Sequence, residues 1–185
     1  MLSMVQFFFK VIFFSKKLED KPDIIYASSP HPFNGLAGMY LARKYKCPFI
    51  LEIRDLWPET WVAMGATTKK SILYKVFAYI EKVLYKNADK IITLTANKDY
   101  YISVGIDEKK VEIVSNGVDL EKYDSLLEEK SPIDLSENKF NILYTGAHGI
   151  ANCLDNILEV AKLIKNNEIV FNFIGEGEKK EELIK

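Results

Sequence analysis

Ile50-Leu51-Glu52-Ile53 is an apolar run rich in β-branched residues that breaks at Arg54-Asp55-Leu56-Trp57-Pro58-Glu59. A run of this kind is the pattern of a buried strand. Pro58 has no amide to donate and disfavours helix at Trp57, so the strand ends about there. Arg54, Asp55, Trp57 and Glu59 are thereby delivered together to a strand's C-terminal end. That edge is where open α/β sheets bind ligands. Two readings of the group stand side by side. It is a ligand-facing cluster, or it is an Arg54–Asp55 ion pair beside a packed tryptophan, since structural ion pairs are common.

The flanking sequence repeats a strand–helix–strand rhythm. Asp23 to Ser28 reads as a strand after the Lys21-Pro22 break, and Ser28-Ser29-Pro30-His31-Pro32 as a loop. Phe33 to Tyr45 reads as a helix with Leu36, Met39, Tyr40 and Leu41 as its apolar stripe, Gly35 and Gly38 allowing close approach to a sheet. Cys47-Pro48 restarts the chain into the first-mentioned strand. Such a β-α-β unit is parallel and right-handed. The clearest helix follows: Leu73, Val76, Phe77, Ile80, Val83 and Leu84 recur at helical spacing, with Glu81, Lys75, Lys82 and Lys86 assigned to the rest of its surface and Asn87 to its end. Asp89 to Thr95 is a further strand, Asn97 to Val104 a short helix stopped by Gly105, and Val111 to Val114 another strand.

Asn116-Gly117-Val118-Asp119 then reads as a turn into a polar linker, which places a first domain at 1–118, the linker at 119–138 and a second domain at 139–185. The pattern restarts there. Phe140 to Thr145 is a strand, Gly146-Ala147-His148-Gly149 a tight loop, Asp155 to Lys165 a helix with Leu154, Ile157, Leu158, Ala161 and Ile164 on one face, and Ile169 to Ile174 a strand. Gly175-Glu176-Gly177 and a last helix from Glu178 follow. Two strands and their helices cannot bury both faces of a sheet, so the natural protein is expected to continue.

Composition narrows the function classes. A net charge of -1 argues against a nucleic-acid binder, which needs a basic footprint. Cys47 and Cys153 have no zinc or disulfide spacing, which suits a reducing cytoplasm. The apolar stretch Met1–Phe14, interrupted by Lys10 and followed by Lys16-Lys17, has its basic pair on the wrong side for a signal peptide and is too short to span a bilayer. It reads as a core helix, as an interfacial helix with its basic end at the headgroups, or as a helix without its packing partner. The Gly146–Gly149 loop could bring backbone amides to an anion at a helix start, but it is neither a dinucleotide nor a Walker loop. His31 and His148 are the only histidines, and neither sits in a catalytic triad motif. No residue set has metal-ligand spacing.

Several stretches together resemble glycosyltransferase family 4 and, within it, the WbuB-like subgroup of surface-polysaccharide transferases. They are Ala27-Ser28-Ser29-Pro30-His31-Pro32-Phe33-Asn34-Gly35, Leu51 to Glu59, Asn116 to Asp119, Tyr144 to Gly149, and Phe173 to Gly177. The likeness runs from about Pro22 to the end, and the Arg54–Glu59 string is its most specific part. The resemblance implies an α/β, GT-B-like architecture of two Rossmann-like parallel-sheet domains, both incomplete here. The first would hold the acceptor and the second a nucleoside-diphosphate sugar. It implies retaining transfer of a hexosyl or N-acetylhexosaminyl group to a lipid-linked saccharide in cell-surface polysaccharide or lipopolysaccharide synthesis. The nucleotide sugar is the substrate and no other cofactor is implied. The chain would be cytoplasmic, peripheral at the inner membrane face through 1–17.

The resemblance also implies roles. Asp55 and His31 would face the donor sugar. Arg54, Trp57, Glu59, Ser29 and Asn34 would shape the acceptor side or brace it. Gly146, His148, Gly149, Gly175, Gly177 and Asn116 would lie on the donor side or at the hinge. Many members clamp the diphosphate with an arginine and a lysine where this chain has Ala147 and about Asn152, leaving backbone amides or His148 to serve. The family's opening glycine-rich strand and its later paired-glutamate motif have no counterpart, so the chain is expected to be a middle piece of a longer enzyme, inactive by itself. Alternatives are a non-catalytic remnant or partner subunit and a nucleotide-sugar epimerase, the latter opposed by the Arg54–Glu59 string.

Overall fold

The computed structural model describes every residue except Met1, Pro30, 95–97, 130–132, Asp134, Glu137 and Lys185. Pro30 of the expected loop, Thr95 of the expected strand, Asn97 at the expected helix start and Pro132 of the linker therefore lie outside the described residues. The chain forms two compact units, Met1–Val118 and Asp119–Lys185.

Unit 1 is a four-stranded parallel sheet. Its strands are β1 (Ile25–Ser29), β2 (Phe49–Ile53), β3 (Lys90–Thr93) and β4 (Val111–Ile113), side by side in chain order. The helices are α1 (Leu2–Phe14), α2 (Pro32–Tyr45), α3 (Glu59–Ala63), α4 (Ile72–Asn87) and α5 (Asp99–Ser103). Pro32 begins α2, where its missing amide costs nothing. The Ser71 side chain caps α4 by accepting from the Tyr74 amide at 3.1 Å. Gly105, at φ +84°, follows α5 in the left-handed conformation expected after a helix.

The core lies on one face of this sheet. Ala27, Phe49, Leu51, Ile91 and Val111 are buried there with Leu84, Tyr85 and Tyr101. A Cβ added to Gly38 would stand 2.7 Å from that of Ala27, so α2 is packed as closely as its glycine permits. The alternate residues Tyr26, Ile50, Glu52, Ile92 and Glu112 are half-buried or exposed. β2 thus alternates in burial where an apolar run suggests burial on both faces.

Two expectations for unit 1 need correction. None of the residues of α1 is buried, so it is not a core helix, although it packs beside α2. The buried face of α4 is Phe77, Glu81, Leu84 and Tyr85, while Leu73 and Val76 are exposed. The stripe is turned from the expected one, and Glu81 belongs to it. The turn is possible because the Glu81 carboxylate accepts from the Tyr85 hydroxyl at 2.7 Å and the Tyr100 hydroxyl at 2.8 Å. The short helix α3, directly after Pro58, was not anticipated.

Unit 2 begins with α6 (Leu120–Leu127), inside the stretch read as a linker. Asp119 caps it by accepting from the Lys122 amide at 3.1 Å, and no residue of α6 is buried. Parallel strands β5 (Phe140–Thr145) and β6 (Ile169–Ile174) pair along their full length beside α7 (Leu154–Leu163), and α8 (Lys180–Leu183) closes the described residues. Among the described residues, only His148 and Leu154 are buried in this unit.

Candidate functional site

The C-terminal ends of β1 and β2 lie in register, Ser29 opposite Ile53. The Arg54 amide donates to the Ser29 hydroxyl at 3.4 Å, a long contact that places the two crossings side by side. His31 stands at the head of α2 in extended conformation. Asn34, one turn inside, donates from its side-chain amide to the Ser28 carbonyl at 3.1 Å and ties the loop back to the strand. Ser29, His31, Asn34, Arg54 and Asp55 are therefore brought to one sheet edge.

The roles within this edge differ. Arg54 and Asp55 are exposed, and among the described residues no ion pair joins them. The reading of a self-satisfied Arg–Asp pair is set aside, and both charges remain available. Asp55 lines a small void of about 20 Å3 with Ser29, Trp57, Glu81 and Tyr85. His31 packs edge-on to Phe7 with ring centroids 6.0 Å apart, and its Nδ1 is buried without a partner among the described residues. Burial lowers its pKa from the ordinary value.

Trp57 and Glu59 are braces. Trp57 meets Trp61 at 4.4 Å between ring centroids and Phe77 at 6.0 Å, across a cis Trp57–Pro58 bond. Glu59 accepts from the Tyr74 hydroxyl at 2.6 Å and pairs with Lys69 at 3.1 Å. The Tyr74 bond, more than Lys69, holds the Glu59 carboxyl below its usual pKa, and the same bond pushes Tyr74 up to about 12. These contacts fix the strap that carries Asp55 against α4.

Glu81 was missed as a site residue. Burial raises its carboxyl to about 7, against the opposing pull of the Tyr85 and Tyr100 hydrogen bonds, with the Glu59 charge adding a smaller push in the same direction as burial. The spacing that could have found it was present: Glu81 follows Phe77 by four residues and precedes Leu84 by three, so all three share a face.

In unit 2 the two glycine loops at the ends of β5 and β6 are knitted together. The Gly146 amide donates to the Ile174 carbonyl at 3.0 Å, the His148 amide to Glu176 at 2.8 Å, and the Lys179 amide to the His148 carbonyl at 2.9 Å. A Cβ on Gly175 would fall 1.8 Å from the Gly146 oxygen, and one on Gly177 2.4 Å from the His148 oxygen. Both positions are closed to any side chain. The Tyr144 hydroxyl donates to the Ala147 carbonyl at 2.9 Å and accepts from Asn152 at 2.7 Å, which holds the loop from its other side. Asn116 lies exposed in unit 1, before the turn into α6.

His148 does not offer its ring at the loop surface. It is buried beneath α8 in a cavity of about 210 Å3 lined by Leu154, Leu158, Phe173, Leu183 and Ile184. Neither ring nitrogen has a hydrogen-bond partner among the described residues. The loop amides that no described group engages are those of Ala147 and Gly149. An anion at this loop would meet those two rather than the amides of Gly146 and His148.

Residues 2–122 match the family model described as Glycosyltransferase Family 4. The chain is 26% identical over 133 residues to a Pseudomonas aeruginosa protein named as the probable glycosyltransferase WbjE, covering 70% of this chain and 33% of that protein. It is 32% identical over 109 residues to an uncharacterized 41.2 kDa protein in the cps region of Klebsiella pneumoniae, covering 56% and 30%. It is 23% identical over 165 residues to an Escherichia coli strain K12 protein named as the putative colanic acid biosynthesis glycosyl transferase WcaI, covering 85% and 40%. The chain spans about a third of the length of these relatives.

Proposed function

Because the chain belongs to glycosyltransferase family 4, we propose that its strand-end cluster serves sugar transfer from a nucleoside diphosphate to a saccharide acceptor in surface-polysaccharide synthesis. The observation that carries this reading is the convergence of an exposed Asp55, without an ion pair among the described residues, with Ser29 and His31 on one sheet edge. An unpaired carboxylate accepts hydrogen bonds from sugar hydroxyls. An imidazole hydrogen-bonds another hydroxyl. In the transfer, the bond from the anomeric carbon to the diphosphate breaks and a bond to the acceptor oxygen forms, with retention of configuration. The acceptor's hydroxyl proton passes to the departing diphosphate. The chain's part is to orient the sugar and to stabilise the leaving group.

The acceptor is taken to be lipid-linked, and α1 supports that finer reading. No helix among the described residues is long and apolar enough to cross a membrane. Phe7, Phe9, Phe13 and Phe14 are exposed along α1, with Lys10, Lys16 and Lys17 and no acidic residue before Glu19. That pairing of aromatic side chains with basic ones suits an interfacial helix on anionic lipid. Sedimentation with anionic vesicles should carry the chain down, and the Phe9→Ser/Phe13→Ser double variant should stay in solution. Equal sedimentation of both would remove α1 as the contact.

The transfer reading is tested by thermal denaturation of the chain with a panel of nucleoside-diphosphate sugars. One of them should raise the melting temperature by mass action, while its free sugar at the same concentration leaves it in place. No shift with any nucleotide sugar would overturn the donor-binding half of the proposal.

A further inference from the structure

The small void beside Asp55 is where the strand-end cluster meets the buried face of α4. It is lined by Ser29, Asp55 and Trp57 from the strand ends and by Glu81 and Tyr85 from α4, over an apolar floor that includes Leu51. Its volume of about 20 Å3 suits a single water molecule, for which about 10–15 Å3 suffices. A water held in such a place needs several polar partners.

Three of the lining residues have hydrogen-bonding capacity to spare. Trp57 carries a buried indole N–H without a partner among the described residues, and a buried donor of that kind calls for an acceptor. Each Glu81 oxygen accepts one bond, from Tyr85 at 2.7 Å or Tyr100 at 2.8 Å, and a carboxylate offers about four lone-pair positions. Asp55 enters no ion pair among the described residues. Packing alone does not account for Glu81. A leucine there would continue the face formed by Phe77 and Leu84 and would bury no carboxyl. The two tyrosine bonds, one from α4 and one from α5, hold its carboxylate in a fixed orientation.

The titratable groups around Glu81 come from three segments. The strap after β2 brings Asp55, Glu59 and Lys69, and α4 brings Tyr74, Lys82 and Tyr85. Helix α5 brings Tyr100 and Tyr101. Lys69 is committed to Glu59, and no cation pairs with Glu81 among the described residues. Burial is the main cause that raises its carboxyl to about 7, so its charge changes close to neutral pH.

We propose that one water molecule at this void accepts from Trp57 Nε1–H and donates to Asp55 and Glu81, which makes Glu81 a positioning residue for Asp55. When Glu81 takes up a proton, its O–H donates to the water in place of accepting from it, and the water's hydrogens turn accordingly. Asp55 thereby senses the charge of a residue on another element. That this sets the carboxylate which meets the donor's sugar rests on the transfer reading above.

Carboxyl carbon-13 NMR of the 185-residue chain, followed from about pH 4 to 9, tests the link without any sugar. The Asp55 carboxyl carbon and the Trp57 indole proton should each show a step at the Glu81 midpoint, and Glu81→Gln should abolish both. Trp57→Phe removes the donor and keeps both carboxyls, so the Asp55 step should vanish while Glu81 still titrates. Far-ultraviolet circular dichroism of both variants controls for folding. In the unaltered chain the indole proton should also show cross-relaxation with a long-lived water. An Asp55 carbon without that step, a step that survives either substitution, or an indole proton without the water peak would overturn the bridge. A nucleotide-sugar melting shift with no Asp55 step would remove the link alone. An Asp55 step with no melting shift would keep the link and remove the transfer reading.

Discussion

The two units have similar ingredients and different interiors. Unit 1 packs α2 and α4 against its four-stranded parallel sheet and buries Leu51, Ile91, Tyr101 and Val111 almost completely. Unit 2 pairs two strands beside α7 and leaves Phe140, Leu143 and Leu163 exposed. Its order comes instead from backbone contact between glycine loops, where Gly175 and Gly177 exclude any side chain. Burial of apolar surface dominates stability. Unit 1 can therefore support costly features such as the Glu81 carboxyl, while unit 2 devotes its closest packing to its glycine loops.

Truncating the core is the harshest way to break this contrast. Leu51→Ala in unit 1 should cost about 3–4 kcal/mol, in the range for a fully buried leucine. Leu158→Ala in unit 2, where the side chain is only half-buried, should cost about 1 kcal/mol by the area it removes from contact. Denaturant unfolding followed separately by tryptophan emission, which reports unit 1 through Trp57 and Trp61, and by unit 2 amide signals would measure both. Equal losses would contradict the difference between the two interiors.

A smaller effect follows from Glu81. Its folded pKa of about 7 lies above the ordinary 4.5. Below the ordinary value the group is protonated in both states and burial carries no charge penalty. As pH rises from about 4.5 to 7, the unfolded chain ionises first, so unit 1 loses stability across that window and then levels off. The loss is on the order of 3 kcal/mol. Glu59, held below its usual value by Tyr74, works in the opposite direction and loses its contribution as pH falls. Glu81→Gln should flatten the decline between pH 4.5 and 7 in unit 1 and leave unit 2 unchanged. A decline that survives the substitution would place its source elsewhere.

Much of this organisation was legible in the residues. The β-branched run before Arg54, the helical spacing through Leu84 and the position of Gly105 report local geometry, and each element formed near its expected place. What was not legible depended on tertiary partners. Glu81 reads as a surface charge until Tyr85 and Tyr100 are seen to satisfy it. Counting apolar residues alone turned the α4 stripe away from it. His148 reads as a loop histidine until α8 covers it. The apolar residues of α1 predict burial, and only the packing shows that none is buried. At the candidate site, the strand-end placement of Ser29, Arg54 and Asp55 followed from sequence. The bracing of Glu59 by Tyr74 came from a helix fifteen residues away.

The strand-end cluster of unit 1 is proposed to address the donor's sugar. Amide shift mapping with the nucleotide sugar that stabilises the chain, compared with the same nucleoside diphosphate lacking the sugar, tests it most directly. Ser29, His31 and Asp55 should move only when the sugar is present. Movement of Asp55 with the bare nucleotide, or its indifference to the complete nucleotide sugar, would contradict the account.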